Sequence, residues 1–145
     1  MLFRSLAIND RIADIPKIRP ALEKYPDVKV CFEHAWGHKT GTPPYPLLDN
    51  LFALAGNPNV YIKTAINNIA AAREAGGTPE ALYEKLVKTF GAKRMMWSSN
   101  YPAHPKFGGI KGRLEESQKA MAFLSEEDRR WIFGETALSL FPGLR

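Results

Sequence analysis

Three apolar runs in this chain end in residues able to do chemistry. The most informative reads Arg94-Met95-Met96-Trp97-Ser98-Ser99-Asn100-Tyr101-Pro102, a strand pattern that stops in small polar residues and a proline. Strand ends of this kind are where parallel α/β enzymes keep their reactive groups. Asn100 is best placed to act there. Its amide can hydrogen-bond or orient a neighbour but cannot ionise, where a carboxylate would serve catalysis better. A second run, Val28-Lys29-Val30-Cys31-Phe32-Glu33-His34, closes on a histidine that could ligate a metal, shuttle a proton or bond a backbone carbonyl. Strand alternation puts His34 on the face of Val30 and Phe32 and Glu33 on the other. Lys63 and Thr64 hold the matching place in the third run, where the lysine could hold an anionic substrate or extend to solvent and the threonine could hydrogen-bond. Tyr101 and His104 follow on a proline-stiffened loop and could line the same mouth. His38 sits in a loop-like stretch, Gly37 to Pro44, that argues against a helix sharing a face with His34.

The elements that must position these groups follow from periodicity and punctuation. Asp14-Ile15-Pro16 predicts a helix with Asp14 as N-cap and Ile18, Leu22 and Tyr25 on one face, stopped by Pro26-Asp27. Val28 to Ala35 reads as a strand. Pro46-Leu47-Leu48 begins a helix through about Ala55, Gly56-Asn57-Pro58 breaks it, and Val60 to Ile66 is the next strand. Thr78-Pro79-Glu80-Ala81 is a strong helix start, running to Gly91, with the strand Arg94 to Ser98 after it. The stretch Phe107 to Gly112 reads as a mobile glycine-rich loop over the site. Leu114 to Phe123 then predicts a helix, Ser125-Glu126-Glu127-Asp128 caps another, and Gly134 separates that from a short final helix near Pro142.

With Leu2 to Ile8 counted as an opening strand, strand and helix alternate through a single α/β domain over residues 1–145. The strands are near-continuous apolar runs, as expected when both sheet faces are covered. About four parallel strands make half of the eight that close a β/α barrel. A flavodoxin-like open sheet would need a glycine turn after its first strand, and Asn9-Asp10-Arg11 offers none.

Composition removes other classes. An apolar share of 45% over 145 residues supports one packed core. The net charge of +5 comes from basic residues scattered between Arg4 and Arg145, which argues for a solvated surface and against nucleic acid as a partner. No run approaches the roughly 18 apolar residues of a membrane span, and Arg4 cuts the opening stretch too short for a secretory signal. The single cysteine, Cys31, reads as a buried structural thiol in a reducing, cytoplasmic setting. Three histidines and one cysteine, with no His-X-His pair, complete no metal signature, and Gly108 to Gly112 fits no phosphate-binding spacing.

Four segments, taken together over roughly residues 26 to 142, resemble successive landmarks of the amidohydrolase-related family: Phe32-Glu33-His34-Ala35-Trp36-Gly37, Pro58 to Thr64, Phe90 to Pro102, and Ile132 to Phe141. That family is a distorted β/α barrel containing metal-dependent hydrolases, pyrone-dicarboxylate lactonases and aminocarboxymuconate-semialdehyde decarboxylases. The resemblance covers only its C-terminal half. It implies that His34 matches the sixth-strand histidine, which polarises substrate, moves a proton or contacts metal, that Lys63 matches the seventh-strand lysine, and that Asn100 takes the eighth-strand position usually held by aspartate. It also implies a divalent metal, Zn or Mn, in a complete barrel.

The expectation is therefore a hydrolase-type protein for a small carboxylated ester-, lactone- or amide-like substrate. The alternative is a non-catalytic truncated barrel or binding module that needs a partner chain, with self-association covering its open sheet edges. Restoring the missing carboxylate tests the implied role of position 100: Asn100→Asp is expected to raise divalent metal uptake, read by elemental analysis after dialysis.

Overall fold

In the computed structural model, which describes residues 5–8, 12–36 and 40–144, the apolar runs become four parallel strands. They are β1 (Ser5–Ile8), β2 (Lys29–Phe32), β3 (Val60–Thr64) and β4 (Met95–Trp97), hydrogen-bonded in the order β1-β2-β3-β4. Sequential parallel order with helical crossovers is the arrangement of a β/α barrel, here at half its strand count. Readings that fall on His38 and on Asn9 to Arg11 lie outside the described residues.

The helices are α1 (Ile15–Lys24), α2 (Asp49–Phe52), α3 (Ile66–Glu74), α4 (Pro79–Phe90), α5 (Ile110–Ala120), α6 (Glu126–Arg130) and α7 (Thr136–Leu140). Helix α4 forms as its sequence dictates. The Thr78 hydroxyl accepts the Ala81 N–H at 3.3 Å, Pro79 needs no partner in the first turn, and Gly91 ends the helix at φ 79°. Ser125 caps α6 in the same way, accepting the Asp128 N–H at 3.1 Å. Among the described residues no helix is long and apolar enough to cross a membrane.

Several boundaries differ from the sequence reading for identifiable reasons. Asp14 does not cap α1, because a 3-10 turn (Ile12–Asp14) runs straight into the helix and leaves Asp14 itself helical at φ −91°, ψ −6°. Its carboxylate pairs with Lys17 at 2.6 Å. Strand β3 stops at Thr64, and Ile66, expected in the strand, begins α3. Half of the expected glycine-rich loop is helix, since α5 starts at Ile110. Gly112 lies in its first turn, where a Cβ would sit 2.5 Å from the Phe107 carbonyl oxygen, so the close approach requires glycine. Nor does Gly134 break the terminal segment, which continues from α6 to α7 through a π turn (Trp131–Glu135).

Strand alternation gives the sheet two different faces. Val30, Phe32, Val60, Ile62 and Met95 point into the main core, against side chains of α1 to α4 such as Ile15, Leu51, Ile69 and Leu82. Each buried side chain of this size contributes about 1.5–3 kcal/mol. On the other face Cys31, Tyr61 and Met96 meet Ala137 and Leu140 of α7. The Thr136 hydroxyl bonds the Ala92 carbonyl at 3.4 Å, just before β4 begins. The terminal segment thus passes from the helix side to the second face at the N-terminal end of β4. Helix α7 floors that face and leaves the strands' C-terminal ends open.

Cys31 reports on this floor. Burial first, and then the Glu33 carboxylate, push its thiol up from 9.0 to about 12, with Lys63 pulling the other way. The unfolded chain therefore releases this proton first, so stability is fully present below about pH 9 and is lost as pH rises towards the folded value. Relative to Cys31→Ala, the wild-type chain is expected to lose about 1.5–2 kcal/mol between about pH 9 and about pH 10.5, measured by urea unfolding. Parallel profiles for the two chains would show that the thiol is not buried here.

Candidate active site

Strand β2 ends at Phe32 because the backbone turns left-handed two residues later, with φ 58°, ψ 26° at His34 and φ 42°, ψ 30° at Ala35. Such conformations cost non-glycine residues about 1–3 kcal/mol each unless neighbours hold them. Asn68 does the holding. Its Nδ2 donates to the His34 carbonyl at 2.5 Å and its Oδ1 accepts the Ala65 N–H at 2.9 Å. One fully buried side chain thereby joins the end of β2 to the first turn of α3. The turn also removes the basis for placing His34 on the Val30 and Phe32 face, since the alternation stops before it.

Glu33 lies on the other face and forms an ion pair with Lys63 of β3, with the two side chains 15% and 27% exposed. The lysine's charge is thus already met by a carboxylate, and an anion arriving at the mouth would compete with Glu33 for it. Thr64 is separated from this mouth. It is fully buried, its hydroxyl bonds the Met96 carbonyl at 3.4 Å, and it stands beside the Tyr83 phenol, whose ionisation burial pushes up and Thr64 pulls partly back.

At the end of β4, Asn100 also takes left-handed backbone, at φ 45°, and its Nδ2 donates to Oδ1 of Asn67. Asn67 is only 4% exposed. Because Asn67 and Asn68 are consecutive in the first turn of α3, one helix start fixes the end of β4 with one amide and the end of β2 with the next.

Behind this line lies Arg113 of α5, with 0% exposure. Its guanidinium donates to the carbonyls of Gly108 (3.2 Å), Ser99 (3.2 Å), Asn100 (3.3 Å), Pro102 (3.4 Å) and His104 (3.1 Å). Five N–H groups meet five carbonyls, with no carboxylate among these partners. The same guanidinium lies 5.4 Å from the ring centre of Tyr101, which is exposed at the rim. His104 is half-buried, left-handed at φ 56°, with its ring edge-on to Phe107 at 6.4 Å. The loop after β4 is therefore wrapped on a buried cation.

The structure brings His34, the Glu33–Lys63 pair and Asn100 to one end of the sheet, with Tyr101 and His104 on the adjoining loop. Glu33, Asn67, Asn68 and Arg113 were not among the expected site residues. Strand alternation carried a signal for Glu33, and two adjacent amides directly after a strand carried one for the asparagines. Nothing distinguishes Arg113 in sequence from the other basic residues. A groove of about 660 Å³ lies elsewhere, lined by Ala70, Arg73, Phe107, Gly112 and Glu116 among others, and includes both partners of the 2.9 Å Arg73–Glu116 ion pair.

The divalent metal implied by the resemblance does not fit this half-site by itself. Among the described residues no three His, Cys, Asp or Glu side chains converge. The carboxylate on the open face, Glu33, is neutralised by Lys63, and position 100 supplies an amide.

A family model described as amidohydrolase matches residues 8–143. Comparison with curated proteins gives no match. Among solved structures, an amidohydrolase from Burkholderia multivorans with bound zinc superposes at TM-score 0.75 and 15% identity, over 95% of this chain and 52% of that one. A Pseudomonas putida protein assigned as a 2-pyrone-4,6-dicarboxylic acid hydrolase matches at TM-score 0.69 and 24% identity, over 94% and 50%. An Acinetobacter baumannii protein with the same assignment and citric acid bound matches at 0.71 and 15%, over 95% and 52%. The chain spans about half the length of these structures, as a partial barrel must.

The guanidinium cluster yields a stability test. Lysine keeps the charge but cannot fork into five carbonyls. Arg113→Lys is expected to destabilise the chain by about 2–4 kcal/mol in urea unfolding, and a change near zero would show that the loop does not depend on the guanidinium.

Proposed function

The chain belongs to the amidohydrolase family, and from that premise we propose that its strand ends form half of a hydrolase pocket. The substrate is a small carboxylated molecule with an ester-like, lactone or amide bond. Hydrolysis adds water to the carbonyl carbon, breaks the bond to the leaving oxygen or nitrogen, and delivers a proton to the leaving group. His34 polarises the carbonyl or relays that proton. Asn100, held by Asn67 and by the loop around Arg113, orients the water or the carbonyl oxygen. Lys63 steers a substrate carboxylate in competition with Glu33, and Tyr101 and His104 contact substrate from the rim.

The observation that carries this reading is the line of contacts from the His34 carbonyl through Asn68 and Asn67 to Asn100. It fixes two strand ends, far apart in sequence, at one mouth. Support for the substrate class comes from the superposed structures, two assigned to a dicarboxylated pyrone and one of these holding citric acid. A second reading, a non-catalytic half-barrel that binds a partner chain, is favoured by the amide at position 100 and the neutralised Lys63.

The two readings separate on a panel of dicarboxylated lactones, esters and amides, assayed with and without Zn or Mn. The first expects turnover by the wild-type chain and a loss of at least about 100-fold in His34→Ala. Turnover left unchanged by that substitution would sink the assignment of His34. No turnover by the wild-type chain on any member would favour the second.

A further inference from the structure

We infer that Glu33 stands in for the substrate's carboxylate: it holds Lys63 until a carboxylated ligand displaces it, and once released it is the base that activates the water of hydrolysis. This role rests on the hydrolase reading above and supplies a proton carrier to it. Of the side chains gathered at the mouth, His34, Glu33, Lys63, Asn100, Tyr101 and His104, Glu33 is the carboxylate. Asn100 stands at a strand end where a carboxylate would serve catalysis better, and its amide carries no proton to exchange. The carboxylate is present two strands away, just past β2.

The register places the pair. Phe32 and Ile62 are partners across β2 and β3, so Glu33 and Lys63 stand side by side one step further along. Strands β2 and β3 are the inner strands of the sheet, away from either edge. The apolar contacts of α7 fall one pleat nearer the strands' N-terminal ends, on Cys31, Tyr61 and Met96. Above that floor the two charged side chains keep 15% and 27% exposure, so the pair meets solvent at the mouth. The Cys31 thiol, pushed up mainly by burial, registers both charges from below, Glu33 raising it further and Lys63 lowering it.

Exchanging one carboxylate for another keeps the Lys63 ammonium compensated, so displacement leaves no bare cation in the mouth. The group left without a partner is Glu33. A freed carboxylate requires a hydrogen-bond donor, and water is the donor that hydrolysis supplies. The backbone around it stays in place, because strand pairing holds Phe32 and the Asn68 amide holds the His34 carbonyl. Only the Glu33 side chain has to turn. The released carboxylate takes a proton from water as the water oxygen bonds to the substrate's carbonyl carbon. It passes that proton to the leaving oxygen or nitrogen as the bond to the same carbon breaks. Glu33 is then ionised again and recovers Lys63 when the product's carboxylate departs. A substrate lacking a carboxylate leaves Glu33 on Lys63 and the water without this base, so carboxylate recognition acts on turnover as well as on binding.

Glutarate, a dicarboxylate with no bond to hydrolyse, tests the exchange by titration calorimetry on the full chain. A site closed about nine-tenths of the time binds about tenfold more weakly than its open form, so Glu33→Gln is expected to bind glutarate at least about 10-fold more tightly than wild type. Lys63→Met is expected to lose that binding. Equal affinity in the wild-type and folded Glu33→Gln chains would overturn the exchange. For the base, Glu33→Gln is expected to lower KM while lowering kcat by at least about 100-fold, a split that a merely structural loss does not produce. An unchanged kcat would overturn that half. The wild-type chain decides the coupling even if a variant misfolds: methyl-capping the substrate's free carboxylate is expected to lower kcat as well as raise KM, with added acetate restoring part of the kcat. Capping that moves KM alone would overturn the coupling. A wild-type chain that turns over nothing overturns the hydrolase reading and the base with it, while glutarate binding still decides the exchange, so the two failures are distinguishable.

Discussion

Burying a guanidinium costs several kcal/mol unless every N–H it carries finds an acceptor, and Arg113 meets that condition with five backbone carbonyls from residues 99 to 108. Carbonyls reach a common centre only if the chain bends around it. The left-handed backbone at Asn100, His104 and Gly108 follows from that requirement. Gly112 belongs to the same packing, since the turn that delivers the Gly108 carbonyl also presses the Phe107 carbonyl against α5. The loop carrying Asn100, Tyr101 and His104 is thus shaped from behind by a fully buried residue.

The opposite side of the mouth depends on amides. Asn68 stabilises a helix start and a left-handed turn with the same side chain, so α3 and the His34 turn form together. Asn67, one residue earlier, reaches β4. Because the two strand ends are tied to one helix terminus, a shift of α3 would displace both. Their relative position is therefore more constrained than either loop alone would allow.

Sequence alone carried the order of the strands, the amidohydrolase resemblance, and the caps at Thr78 and Ser125, because these rest on local patterns. It carried less of the site, because the site is made of contacts between elements. The His34 turn interrupts an alternation that a sequence can only extend. Lys63 reads as a lone cation until the register of β2 on β3 sets Glu33 beside it. Helix α3 is not legible in the same way, because the reading that carries the strand through Ile66 takes in its first residue, and the two asparagines that follow are satisfied by partners that only the folded chain supplies. Arg113 was invisible for a related reason, since an arginine within a polar helix looks solvent-facing until the loop that wraps it is known.

Position 100 then raises a narrower question than the sequence could frame. Left-handed backbone favours Asn and Asp alike among non-glycine residues, so conformation does not select the amide. Nor does the contact to Asn67. A carboxylate at position 100 would be met equally well if the Asn67 amide turned to present its Nδ2 in place of its Oδ1. What separates the two side chains is charge, in a mouth where Glu33 is already balanced by Lys63 and the guanidinium of Arg113 is met by dipoles alone. An aspartate would add a negative group to a residue whose backbone carbonyl already accepts from that buried cation, and its second oxygen would remain available to bind. The amide, donating through its Nδ2, leaves a neutral Oδ1 in place of that anionic oxygen. The choice at position 100 is thus a choice of chemistry on a backbone that accommodates both.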